Sequence, residues 1–149
     1  MKEINVVKRD GTKEPFDANK INTAILKACE GLPDQISKVV QVATELQLTL
    51  FDGITTEQLD EAVIQTVLQN VKDDPDYDKI AARLLLKTVY KQILGDYETA
   101  EELKKLHARE FPKFVKAGVK EGLLDKRMAD GRFDLKKLAT ELDPARDDL

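Results

Sequence analysis

One cysteine, one histidine and no tryptophan occur in these 149 residues. A lone cysteine, Cys29, cannot close an intrachain disulfide, complete a zinc ribbon or form a redox pair. On an apolar helical face such a residue reads as core packing. The lone histidine, His107, supplies neither a His-rich metal site nor a Ser-His-Asp triad, and a packing or surface role is expected for it. Long apolar runs are absent as well. No N-terminal stretch has the length of a signal peptide and no span is long enough to cross a bilayer, so a cytoplasmic protein with no membrane contact is expected. Excess positive charge is also missing: 24 Lys and Arg face 28 Asp and Glu, a formal net charge of -4. Bulk nucleic-acid binding needs a basic surface to neutralise phosphates, so no nucleic-acid partner is expected. Neither G-x-x-x-x-G-K-[ST] nor G-x-G-x-x-G occurs, which removes the P-loop and the dinucleotide fold. The acidic run Asp73, Asp74, Asp76, Asp78 lacks the pattern of an EF-hand loop. It reads as a solvated loop, and no metal ligand or catalytic residue is assigned.

What is present is a soluble, helix-rich composition, 42% hydrophobic and 35% charged. Ile4 to Lys8 and Lys13 to Phe16 are short β-prone runs. Between them Arg9-Asp10-Gly11-Thr12 carries the Asp-Gly pair that favours a hairpin turn. Asp17 is placed to cap a helix whose inner face is Ile21, Ala24, Ile25 and Ala28, with Gly31 as its stop. A second helix is expected from about Asp34 to Thr49, with Ile36, Val39, Val40, Ala43 and Leu46 inward. Phe51-Asp52-Gly53-Ile54 breaks that pattern and suggests a short strand. Thr55 and Gln58 form a capping box for a third helix that buries Leu59, Val63 and Val67, with Val71 beyond them. After Asp74-Pro75 a fourth helix covers roughly Asp76 to Leu94 and ends at Gly95. Two further helical patches follow, Ala100 to Glu121 and Leu135 to Leu142, and Pro112 is expected to split the first in two. The tail Asp143 to Leu149 carries no stop signal for a domain. The expected fold is mainly α: a four-helix bundle capped by a small β-hairpin or three-stranded sheet over residues 1–95, then a helical extension over 96–149.

Chemistry concentrates at the opening hairpin. Lys8, Arg9, Lys13 and Lys20 stand within "VVKRDGTKEPFDANKINTAI". Such charge is either an ordinary solvated surface or an anion site. Lys8 closes the first strand and Lys20 opens the first helix, so both can converge where free N–H groups and the helix dipole favour a negative ligand. Glu14 and Asp17 lie among these cations.

Three separated blocks in order, "VVKRDGTKEPFDANKINTAILKA", "FDGITTEQLDEAV" and "PDYDKIAARLLLKTVYKQ", resemble the ATP-cone domain found at the N-terminus of ribonucleotide reductase large subunits. "FPKFVKAGVKEGLLDKRM" and "FDLKKLATELDPARDDL" resemble the helical segment that follows the cone in those enzymes. The cone of the related zinc-ribbon repressor follows four zinc-binding cysteines, and this sequence has one cysteine. The resemblance implies adenine-nucleotide binding by Lys8, by the segment Glu14, Pro15, Phe16, Asp17, Ala18, Asn19 and Lys20, and by Thr56 and Lys91. Asp60 stands where some relatives carry a histidine near the nucleotide. The effector implied is ATP (activating) or dATP (inhibiting), with Mg²⁺, controlling overall activity in deoxyribonucleotide synthesis. Implied partners are the remainder of the reductase large subunit, the small radical-generating subunit and further copies of the chain. The catalytic cysteines of the family lie in a barrel outside these residues, so this chain alone is expected to be inactive and to be the first part of a longer polypeptide. The alternative is a helical interaction domain, derived from a cone, that has lost nucleotide binding.

Overall fold

The computed structural model describes residues 4–147, so the tail positions Asp148 and Leu149 lie outside the described residues. The chain forms two compact units that divide between Thr88 and Val89, inside a helix.

The first unit opens with β1 (Asn5–Val7) and β2 (Lys13–Pro15), paired antiparallel with Val6 opposite Glu14. The turn between them is drawn in by local bonds. The Gly11 N–H donates to the Lys8 carbonyl at 2.9 Å, and the Asp10 carboxylate accepts from the Thr12 N–H at 2.9 Å and its hydroxyl at 2.7 Å. Gly11 takes φ +83°, a conformation that costs a residue without a side chain little. A third strand, β3 (Ile54–Thr55), runs parallel to β1 on its other edge, giving the order β2-β1-β3. Asp52 secures this edge by accepting from both the backbone N–H and the side-chain amide of Asn5.

Four helices follow or interleave: α1 (Ala18–Ala28), α2 (Gln35–Leu46), α3 (Thr56–Gln69) and α4 (Asp76–Leu94). The caps are those the sequence signals. The Asp17 carboxylate accepts from the Asn19 N–H, and Thr55 and Gln58 exchange the two bonds of a capping box at 3.1 and 3.0 Å. One core joins Ile25, Ala28 and Cys29 of α1 and its C-cap, Val42 and Leu46 of α2, Val63 and Val67 of α3, and Tyr77, Ile80, Ala81 and Leu84 of α4. Under the sheet a smaller cluster joins Val6, Ile54 and Leu59, with Phe16, Ile21 and Leu50 against it. Arg83 closes the C-terminal end of α1 by donating to the carbonyls of Ala28 and Glu30.

The inner face of α2 differs from the expectation. Ile36 and Val40 point outward, 70% and 59% exposed, while Lys38, Val42 and Leu46 are buried. The reason is ionic. The Lys38 ammonium, on a side chain only 5% exposed, meets the Asp74 carboxylate at 2.7 Å and donates to the Pro33 carbonyl at 3.1 Å. Asp76 is 3.8 Å away and the Tyr77 ring centroid 5.7 Å. A buried ammonium is tolerated only with such partners. Beside it Gln41 joins Tyr77, Asn70 and Glu45 in a chain of side-chain hydrogen bonds across α2, α3 and α4.

This lock carries a pH dependence. The hydrogen bond with Lys38 holds the Asp74 carboxyl below its usual range, and the same contact holds the Lys38 ammonium above its own. Asp74 therefore contributes stability that is fully present above the unfolded carboxyl value of about 3.9 and is lost as pH falls through the lower folded value. Lys38 contributes below its unfolded value of about 10.4, and that part is lost as pH rises through the raised folded value. Urea denaturation of Asp74→Asn against the parent chain should show a stability gap that is flat through neutral pH and shrinks below about pH 4. A gap that persisted unchanged to pH 2.5 would contradict this ion pair.

The second unit holds the last turn of α4, then α5 (Ala100–Lys120), a 3-10 turn at Lys126–Met128, α6 (Leu135–Glu141) and a 3-10 turn at Pro144–Asp147. Pro112 does not split α5, contrary to expectation. Proline removes a single intrahelical N–H. The capping box of Thr99 and Glu102 and the buried face of Leu103, Val115 and Gly118 hold the helix on both sides of it. Gly118 lets Leu124 close down, since a Cβ there would stand 2.8 Å from Leu124 Cδ1. Tyr90 is the hub, edge-on to Tyr97 and to His107, and its hydroxyl donates to the Asp147 carboxylate. His107 is thus a packing residue, its Nε2 buried without a hydrogen-bond partner among the described residues.

Candidate functional site

The hairpin and the start of α1 bring Lys8, Glu14 and Lys20 together. β2 carries Glu14 inward toward the end of β1 and the start of α1. Its carboxylate meets the Lys8 ammonium at 2.7 Å through one oxygen and the Lys20 ammonium at 3.5 Å through the other. Two cations from separate elements therefore converge on one anion, as their sequence positions suggest. Both lysine side chains remain substantially exposed, so the cluster is open to a ligand. The hydrogen bond from Lys8 lowers the Glu14 carboxyl against a smaller opposing effect of burial, and the same bond raises Lys8.

The rest of the segment runs along the mouth of α1. Pro15 ends β2, and the Phe16 N–H donates to the Ile4 carbonyl at 2.8 Å while its ring joins the small cluster under the sheet. Asp17 caps the helix, and Ala18, Asn19 and Lys20 form its exposed first turn. The Asn19 and Lys20 N–H groups donate to the Asp17 carboxylate and carbonyl at 2.9 and 3.2 Å, and the helix dipole leaves partial positive charge at this end.

Strand register accounts for Thr56. Val7 is aligned with Thr55 in the parallel pair, so Lys8 and Thr56 are the next residues to leave the sheet at the same edge. The next pair along this edge is ionic: Arg9 meets Glu57 at 3.4 Å. Arg9, in the Lys-Arg-Asp-Gly run, thus joins the hairpin turn to the start of α3. The signal for this contact is the parallel register, which no local pattern reveals. Thr56 is half-buried at the first position of α3. Lys91 belongs to the second unit, where it sits in the last turn of α4 and pairs with Asp96 at 3.3 Å.

As for a metal, no group of three or more His, Cys, Asp or Glu is placed to hold one among the described residues. The carboxylates of Glu14 and Asp17 are already engaged, one by two lysines and the other by a helix cap, and Glu57 pairs with Arg9. No helix among the described residues is long and apolar enough to cross a membrane.

The first unit is a four-helix bundle with a small sheet, at one end of which Lys8 and Lys20 gather beside the start of α1. The chain belongs to the ATP-cone family, whose model matches residues 4–92. It is 37% identical over 98 residues to the ribonucleoside-diphosphate reductase subunit alpha of Haemophilus influenzae, covering 65% of this chain and 13% of that protein. With the same subunit of Chlamydia trachomatis it shares 28% identity over 145 residues, 97% of this chain and 14% of the relative. It is also 36% identical over 103 residues to the transcriptional repressor NrdR of Carboxydothermus hydrogenoformans, 68% of this chain and 63% of that protein. The chain thus spans about one seventh of the length of the reductase subunits it matches.

Proposed function

We propose that this chain is the N-terminal allosteric region of a ribonucleoside-diphosphate reductase large subunit, and that its cone binds ATP or dATP at the hairpin. The observation that carries this reading is the convergence of Lys8 and Lys20 on one carboxylate at the mouth of α1. Two ammonium groups and a helix N-terminus suit a polyphosphate. The segment Glu14 to Lys20 and Thr56 line the same edge, and Lys91 is assigned by family resemblance. Mg²⁺ enters on the phosphates, because the nearby carboxylates already have partners. The reductase context is favoured over the repressor context because the Chlamydia subunit matches 97% of the chain, the second unit included, against 68% for the repressor.

Regulation follows from differential affinity. An effector shifts an association equilibrium only if it binds one state better than the other. ATP and dATP differ by one hydroxyl, so opposite outputs require the site to rearrange around that group. The rest of the large subunit, the small radical-generating subunit and other copies of the chain are the partners through which such a shift is read.

Titration calorimetry with ATP, dATP and GTP in the presence of Mg²⁺ tests the reading. Binding of both adenine nucleotides, with GTP at least tenfold weaker, is expected. No heat with any of the three would overturn it in favour of an interaction module built on the same fold.

A further inference from the structure

The site already contains an anion of its own. Glu14 offers both carboxylate oxygens, one to Lys8 and one to Lys20, at 2.7 and 3.5 Å. Register opposite Val6 holds it there, in the middle of β2. Lys8 follows β1 and Lys20 lies on α1, so this one side chain ties the hairpin to the helix. A carboxylate and a phosphate oxygen compete for the same donors with the same geometry.

Resting on the adenine-nucleotide reading of the same site, we propose that Glu14 is a resident counter-anion: it holds the two phosphate-directed lysines in the free protein and is displaced when a polyphosphate takes them. Ligand binding is then an exchange of anions rather than simple addition. The exchange has a mechanical consequence. Once the phosphates hold Lys8 and Lys20, the ion pairs from Glu14 are released, while β2 and α1 stay joined along the chain through Phe16 and Asp17. Occupancy is thereby converted into a change at the hairpin, the element from which Arg9 reaches Glu57 at the start of α3.

The sign of one substitution tests this. A residue that merely lined the pocket would weaken binding when changed, whereas removing a competitor strengthens it. Glu14→Gln and Glu14→Ala, each checked for folding by circular dichroism, are titrated with inorganic tripolyphosphate and with ATP beside the parent chain. Asp10→Asn is the charge control. It deletes one negative charge from the same hairpin while keeping the oxygen that accepts from Thr12. Both Glu14 variants are expected to bind tripolyphosphate about fivefold more tightly than the parent, a gain in keeping with release of a pair of exposed ion pairs. Asp10→Asn is expected to stay within about twofold. Equal or weaker tripolyphosphate binding by the Glu14 variants would overturn the counter-anion role, whatever ATP does. So would an equal gain in Asp10→Asn, which would reduce the effect to net charge. If the parent chain ignored ATP while Glu14→Gln still gained tripolyphosphate, the nucleotide reading would fall and the counter-anion would stand.

Discussion

Lys8→Ala combined with Lys20→Ala is expected to lower ATP affinity on the order of fiftyfold while leaving the bundle folded. Each ammonium is placed for a charge-assisted hydrogen bond to a phosphate oxygen, the stronger class of such bonds. Both side chains are solvent-exposed, which moderates the loss from each. Neither belongs to the hydrophobic core, so the thermal midpoint should barely move. The single variants should each lose less than half of the logarithmic effect if the two lysines act on one phosphate chain, because the remaining cation still holds that chain. Calorimetry on the four chains of this cycle measures the coupling. Unchanged affinity in the double variant would place the phosphates elsewhere, even if nucleotide binds.

The largest effect on stability is expected at Ile80. It is fully buried at the centre of the first unit, among residues contributed by all four helices. Ile80→Ala removes buried methyl and methylene groups and leaves a cavity that rigid neighbours fill only in part, a loss of about 3–4 kcal/mol. Small domains hold only about 5–15 kcal/mol in reserve, so this substitution brings the unit near its folding threshold. Ile36→Ala provides the contrast. At 70% exposure its cost should stay below about 0.5 kcal/mol. Urea unfolding of the two variants distinguishes them directly. A comparable loss at Ile36 would mean that its face of α2 is covered.

That contrast also shows where sequence reasoning stops. The limits of α4 were legible because Pro75 and Gly95 bracket it, and α3 because Thr55 and Gln58 supply a capping box whose two bonds are both formed. The face of α2 was not. Ile36, Val39, Val40 and Ala43 make as good a helical stripe as Val39, Val42 and Leu46. The choice between them rests on Lys38 finding Asp74, a contact formed across many residues of chain. Pro112 misled for a related reason: a local rule yielded to packing on both sides of it. At the site, the approach of Lys8 and Lys20 could be foreseen from a strand end and a helix start. That Glu14 bridges them, and that Arg9 reaches Glu57, depends on strand pairing that local pattern does not specify.

Whether an adenine nucleotide is held at the hairpin of the cone is addressed most directly by amide chemical-shift mapping during an ATP titration. Saturable shifts are expected at Lys8, through Glu14 to Lys20, and at Thr56, with the core positions Val42, Val63 and Ile80 nearly still. Saturable shifts confined to other surfaces, or none at millimolar ATP with Mg²⁺, would contradict binding there.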